Sequence, residues 1–306
     1  MNAVTEQPLD QHQIGLYDKF EIRRTDGSSD PGGRHHGDDF FVLNLTTDKH
    51  AIPAIKAYAK SCAADYPQLA ADLRAKLRAR LPSEFVTIKE TELPNGHVEP
   101  EFKVARYMST VVNGHAEILA DEVPTVEISF YDANAAAEAA GMKVITETQH
   151  AVLRHLLYNE GRNWTSGVVG EGSLRQGLRN DSVDEAVAND YVPDDQDEDR
   201  RFYLPDGEVL FDMAGHLCTW VRDNIQGDEK GIVAKPFAVD SLTIALPHAS
   251  GTKGIGYCSA AAGRDWSGGA LLRGGCWGSG GDAGLFRLGG WYPRGGDGGV
   301  GFRCTL

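Results

Sequence analysis

Two early stretches repeat apolar residues at helical spacing. Ile52, Ile55, Ala59 and Cys62 fall on one face, with Pro53 near the start, where a missing N–H costs little. Leu69, Leu73, Leu77 and Leu81 form a second stripe, with Asp65 placed as a cap before Pro67 and Pro82 placed as a stop. Ahead of these helices, Phe20-Glu21-Ile22-Arg23-Arg24 alternates as a strand does. Phe40-Phe41-Val42-Leu43-Asn44-Leu45 is an apolar run of strand length. The residues between them, 25–33, are rich in Gly, Pro and Asp and read as a loop. Residues 1–16 are polar. The pattern predicts a small strand–strand–helix–helix module over 17–82. Segment 83–100, which carries Pro94-Asn95-Gly96, holds the expected boundary, dividing the chain into 1–95 and 96–306.

From residue 101 the texture changes to short alternations. Phe102 and Val104 predict one strand, and Val126, Ile128 and Phe130 another. Asp132 is placed to cap a helix through 135–140, with Gly141 ending it in the left-handed conformation. Thr146-Glu147-Thr148-Gln149 matches a capping box, in which the Thr hydroxyl and the Gln side chain satisfy each other's free N–H groups. The helix behind it is expected to bury Leu153, Leu156 and Leu157 and to close at Gly161.

Composition narrows the class. The chain has 306 residues, 41% hydrophobic and 24% charged, which fits a folded globular protein with an ample core. A net charge of −14 without any basic stripe argues against a nucleic-acid partner. No segment has the run of apolar residues a membrane helix needs, and the first residues lack the basic and apolar regions of a signal peptide. Five cysteines without a CxxC pair (Cys62, Cys218, Cys258, Cys276 and Cys304) point to reduced thiols and a cytoplasmic location. Nine carboxylates lie in 181–199 without the spacing of a calcium loop, so this stretch reads as a solvated acidic loop.

Four blocks, in order, resemble the formylglycine-generating (sulfatase-modifying-factor) superfamily, whose core is a C-type-lectin-like fold. The first is Ile128-Ser129-Phe130-Tyr131-Asp132-Ala133 with the Ala-rich helix after it, and the second is Met142-Lys143-Val144-Ile145-Thr146-Glu147-Thr148-Gln149. The third, Leu210-Phe211-Asp212-Met213-Ala214-Gly215-His216-Leu217-Cys218-Thr219-Trp220, is similar to the family's Asp-Met-x-Gly-Asn-Val-x-Glu-Trp. The fourth pairs Arg273-Gly274-Gly275-Cys276-Trp277 with Gly301-Phe302-Arg303-Cys304 as the family's Arg-Gly-Gly-Ser-Trp and Gly-Phe-Arg bookends. The resemblance implies an α+β protein whose C-terminal domain, about 101–306, is C-type-lectin-like, behind a small α+β N-terminal module. It also implies scaffold roles for Asp212, Trp220, Arg273, Trp277, Phe302 and Arg303. A buried Arg303 has to be fully hydrogen-bonded.

The family's chemistry is less well matched. Copper-dependent formylglycine generation resembles a site with two cysteines between the bookends. The corresponding positions lie near Ser279 and Gly284, and a cuprous ion would lack its thiolates there. Cys276 and Cys304, inside the bookends, read as small buried hydrophobes. The third block also departs from the family pattern, with His216 for Asn, Cys218 for an aromatic and Thr219 for an acid. Non-haem iron sulfoxidation needs a histidine cluster. His12, His35, His36 and His50 have no helical His-x₃-His spacing, and a polar loop explains His35, His36, Asp38 and Asp39 better than a metal site. No catalytic residue, metal or cofactor is therefore expected. A non-haem iron or copper oxidoreductase is the alternative reading.

The final segment points elsewhere. Fifteen of the 37 residues in 267–303 are glycine. Within it a framework of Ala283, Gly284, Phe286, Leu288 and Val300 is interleaved with Gly, Ser, Asp and Tyr, types reachable from an AAC codon through changes at its adenines. This pattern resembles the variable proteins of diversity-generating retroelements, in which a C-type-lectin-like scaffold displays mutagenised positions. The expected variable-type segment is 266–303. Its expected ligand-binding residues are Gly278, Ser279, Gly281, Asp282, Arg287, Gly289, Trp291, Tyr292, Arg294, Gly296, Asp297 and Gly298, with aromatics giving rigid contact area and small residues adaptability. The resemblance implies a recognition protein whose ligand, a macromolecule or a small molecule, is foremost a protein.

Overall fold

The computed structural model describes residues 20–48, 50–78, 84–245 and 252–306. The expectations for 1–16, His12, Leu81 and Pro82 lie outside the described residues, as does the side chain of Leu77. The chain forms two compact units, Met1–Arg80 and Leu81–Leu306. The expected boundary at 95/96 falls inside the second unit, because strand Phe85–Ile88 pairs with Phe102–Ala105 and buries Val86 and Ile88.

In the first unit the two helices form, as Ala51–Ser61 and Pro67–Arg78. The first buries Ala51 and Ala59, with Cys62 at its C-cap also buried. In the second, Ala70 is buried while Leu69 is exposed, so the inward face is turned by one position from the leucine stripe. The two predicted strands do not form. A strand needs a ladder partner for its backbone, and every sheet among the described residues lies in the second unit. Residues 20–24 and 40–45 are irregular, and Phe20, Phe40 and Phe41 are exposed.

The second unit mixes helices with two four-stranded sheets. One runs Phe85–Ile88, Phe102–Ala105, Cys304–Thr305, Lys143–Val144, all antiparallel. The other runs Gly284–Trp291, Ala270–Gly274, Cys218–Val221, Val300–Phe302, with the last pair parallel. Helix Glu147–Tyr158 starts at the expected capping box: Gln149 N–H donates to Thr146 Oγ1 at 3.3 Å, and Thr146 N–H donates to Gln149 Oε1 at 3.0 Å. Leu153 and Leu157 are buried, and Leu156 packs against the core partly buried. Helix Phe130–Ala139 begins earlier than expected. Ser129 is its cap, accepting from Asp132 N–H at 3.1 Å, which puts Asp132 in the first turn and Phe130 in the helix. Gly141 has φ 71°, as its place after the helix requires.

The strand expected at 126–130 is also absent. Glu127 N–H donates to Asp297 O and Phe130 N–H to Pro293 O, both at 3.0 Å. The segment therefore pins the 293–297 loop instead of joining a ladder. The 181–199 stretch is largely exposed, but Glu198 is an exception, buried and accepting N–H bonds from Arg179 and Asn180. Among the described residues, no helix is long and apolar enough to cross a membrane.

Two buried ionic clusters fasten the sheets. In the first, Glu147 accepts from Arg154 Nη2 at 2.8 Å and from Arg273 at 2.5 and 3.1 Å. Arg273 also donates to the carbonyls of Phe286, Arg287 and Thr243, so this carboxylate ties helix 147–158 to both strands of the sheet's outer pair. Burial pushes Glu147 upward, but the two guanidinium groups outweigh it and hold the carboxyl below its ordinary range. In the second, Arg200 grips Asp212 with two bonds at 2.7 and 2.6 Å and donates to the Ala188 and Tyr191 carbonyls. Arg303 donates to the carbonyls of Ala105, Phe211 and Asp212. Asp212, Trp220, Arg273, Phe302 and Arg303 are all buried, and Trp277 is half-buried.

His150 lies beside the first cluster. Arg154 has no acceptor, so its 2.9 Å contact with His150 Nδ1 requires an unprotonated nitrogen there. Burial first, then Arg154, Arg273 and Arg303, holds the imidazole well below its ordinary 6.5. A histidine depressed in the folded state contributes stability that is complete above the unfolded value and is lost as pH falls below it. Unfolding free energy is therefore expected to decline from about pH 6.5 downward by up to about 1.4 kcal/mol per pH unit, before the carboxylates titrate. Urea midpoints between pH 7.5 and 5 check this, and His150→Gln is expected to flatten that limb.

Candidate recognition surface

The expected framework, Ala283, Gly284, Phe286, Leu288 and Val300, is buried, and Leu285 is buried with it. Gly284 has to lack a side chain, since a Cβ there would come within 3.0 Å of the backbone of Ile255 and Gly256. The interleaved residues turn outward: Gly278, Gly281, Asp282, Trp291, Tyr292, Arg294, Gly296 and Asp297 are exposed, and Ser279, Arg287, Gly289 and Gly298 are half-buried. They belong to a 3₁₀ segment, Trp277–Asp282, kinked at Gly280, to the far end of strand Gly284–Trp291, and to the loop before Val300.

Two clefts adjoin this surface. The first, about 460 Å³, has Cys218, Leu272 and Val300 as strand residues, with Arg264, Trp266, Cys276, Arg287, Gly289, Trp291 and Asp297 around them. The second, about 570 Å³, is lined by 265–269, Gly290, Trp291 and Tyr292. Trp266, Gly290 and Trp291 are common to both. Trp266 lies against Gly290, where a Cβ would meet its ring, and an edge-on contact with Phe237 at 5.5 Å holds it. Trp291 is 47% exposed and Tyr292 81%, while Arg294 lies over the Tyr131 ring at 5.4 Å. The result is an aromatic ridge between two hollows, edged by Asp265 and Asp297 and by Arg264 and Arg287.

Of the expected ligand-binding residues, the clefts bring together Arg287, Gly289, Trp291, Tyr292 and Asp297. Gly278, Ser279, Gly281, Asp282, Arg294, Gly296 and Gly298 lie outside them. Sequence reasoning missed Ser259, Arg264, Trp266, Cys218 and Cys276. The signal for the two cysteines was present, since both stand where the family pattern has another residue type. Cys304 is buried as expected, and burial pushes its thiol up to about 11. Cys276 is not a core residue, being half-buried against the first cleft.

No family model and no curated protein matches the chain. Solved structures do, in part. CarF overlaps 73% of this chain and 94% of its own at 12% identity and a TM-score of 0.35. The Major Tropism Determinant P3c variant overlaps 73% of this chain and 55% of its own at 14% identity and 0.32. Treponema denticola variable protein 1 overlaps 74% and 92% at 12% identity and 0.32. Overlaps this partial assign neither fold nor ligand. Among the described residues, no three His, Cys, Asp or Glu side chains converge as metal ligands. In the first unit His35 Nδ1 meets Asp38 Oδ2 at 2.7 Å, and His36 Nδ1 meets the Ser29 carbonyl at 3.2 Å.

Proposed function

We propose that residues 81–306 form a C-type-lectin-like scaffold that recognises a macromolecular ligand, foremost a protein, through the outward positions of 278–298, and that this surface is built to vary. One observation carries the reading: the framework residues Ala283, Gly284, Phe286, Leu288 and Val300 are buried, while eight of the twelve interleaved residues are exposed, so much of the face can change while the core stays fixed. Exposed Trp291 and Tyr292 supply large contact area at low conformational cost.

Sequencing the locus in independent isolates tests this. A near-repeat of the final coding segment is expected, differing at adenines in the codons for the outward positions. Substitutions falling as often on Ala283, Phe286, Leu288 and Val300 would sink the idea. The glycines divide in a way that sharpens the test. Gly281 and Gly298 face open space, so Gly281→Tyr and Gly298→Tyr are expected to shift stability by less than about 0.5 kcal/mol. At Gly296 a Cβ would come within 3.0 Å of the Glu127 carbonyl, so Gly296→Ala is expected to cost about 1–3 kcal/mol in a urea titration. Gly296 thus serves the surface through its backbone alone.

A further inference from the structure

Two thiols line the first cleft. Cys218 belongs to the central strand Cys218–Val221, and Cys276 follows the bulge that ends strand Ala270–Gly274. Cys218 is buried and Cys276 half-buried, and both line the same cleft. Gly299 leaves room at Cys276. Its carbonyl accepts from Cys218 N–H at 2.8 Å, and a Cβ on it would sit 3.1 Å from Cys276 Sγ. Ser279 Oγ lies 3.4 Å from Cys276 Sγ and accepts from Cys276 N–H at 3.0 Å. Hydrogen bonding from Cys218 foremost, opposed by burial and aided by Ser279, the Gly278 N–H and Arg287, brings the Cys276 thiol down to about 5. The same contact, with burial, pushes Cys218 well above its ordinary value. Cys276, the more exposed of the two, is thus favoured as the thiolate, and the buried Cys218 as the thiol.

We propose that Cys276 and Cys218 form a dithiol modification site for a small hydroperoxide, with Cys276 as the attacking sulfur and Cys218 as the resolving one. The Cys276 thiolate attacks the terminal oxygen of the hydroperoxide; an S–O bond forms, the O–O bond breaks and an alkoxide (hydroxide, from hydrogen peroxide) leaves. Cys218 sulfur then displaces the hydroxyl from Cys276; an S–S bond forms, and the hydroxyl departs as water with the Cys218 proton. The sulfur pair loses two electrons, which the peroxide gains, and solvent protonates the alkoxide. This chemistry stands whether or not the face above recognises a ligand.

The reduced full chain, treated with one equivalent of hydrogen peroxide, alkylated and digested, is expected to yield the Cys218–Cys276 cross-linked peptide as its main oxidised product. Lowering a thiol's pKa also lowers its intrinsic nucleophilicity, so the distinguishing mark is the pH profile and not the rate at pH 7. Alkylation of Cys276 is expected to vary less than about twofold from pH 6 to 9, where an ordinary solution thiol rises on the order of 100-fold. Cys218→Ser is expected to stop at a sulfenic acid trapped by dimedone, and Cys276→Ser to abolish the fast oxidation. In the unmodified chain, phenylarsine oxide is expected to protect both cysteines together. Oxidation spread evenly over Cys258 and Cys276, or an arsenical that protects neither thiol of the pair, overturns the proposal.

Discussion

Glu147→Ala is expected to destabilise the second unit by about 3–5 kcal/mol, lowering its melting temperature by roughly 10 °C. The carboxylate is the shared acceptor for Arg154 and Arg273, and all three side chains are nearly inaccessible to water. Removing it leaves two guanidinium charges in a low-dielectric interior with only carbonyls and an imidazole to solvate them. Arg154→Ala is expected to cost less, because the two-bond pair between Glu147 and Arg273 survives. Replacing all three by apolar residues of similar volume is expected to recover much of the loss. Denaturant titrations of the three variants check this ordering, and equal costs for Glu147→Ala and Arg154→Ala would contradict the shared-acceptor account.

The Asp212 cluster is expected to respond almost as strongly, in a different place. Asp212→Ala removes both carboxylate bonds to Arg200, for about 3–5 kcal/mol. It also leaves alanine at φ 55°, a left-handed backbone that Asp and Asn tolerate better. Asp212→Asn keeps that tolerance and one of the two acceptors, so it is expected to cost less than Asp212→Ala. Val187 N–H donates to His216 Nε2 at 3.1 Å, and His216 Nδ1 lies between Asp212 Oδ2 at 3.2 Å and Arg200 Nη2 at 3.1 Å, so the imidazole belongs to the same cluster. Because Arg200 also holds the Ala188 and Tyr191 carbonyls, either variant is expected to speed limited proteolysis within 181–199. Cleavage rates there that match the parent would remove the clamp role.

What the sequence made legible was local. Thr146 and Gln149 cap one helix through groups three residues apart, and the framework of 283–300 shows itself as residues set among Gly, Ser, Asp and Tyr. Residues 126–130 alternate just as plainly, yet their N–H groups go to Pro293 and Asp297, far along the chain. Glu147 read only as part of a cap, because Arg273 reaches it from 126 residues away. The same distance hid the cleft: Trp266 and Cys218 join Trp291 and Cys276 only once the sheet is assembled. Cys276, expected as a small buried residue, is only half-buried, because its neighbourhood and not its type sets its exposure.

Strand Cys304–Thr305 lies inside the first sheet, between Phe102–Ala105 and Lys143–Val144, and Val300–Phe302 closes the second. Both are encoded after the outward positions. A chain whose reading frame shifts or stops within 278–299 therefore lacks one strand from each sheet and leaves hydrophobic neighbours such as Val104, Val144 and Trp220 uncovered. A copy that completes both sheets has been translated in frame through the whole segment, so the architecture acts as a proofreading step on the stretch proposed to vary.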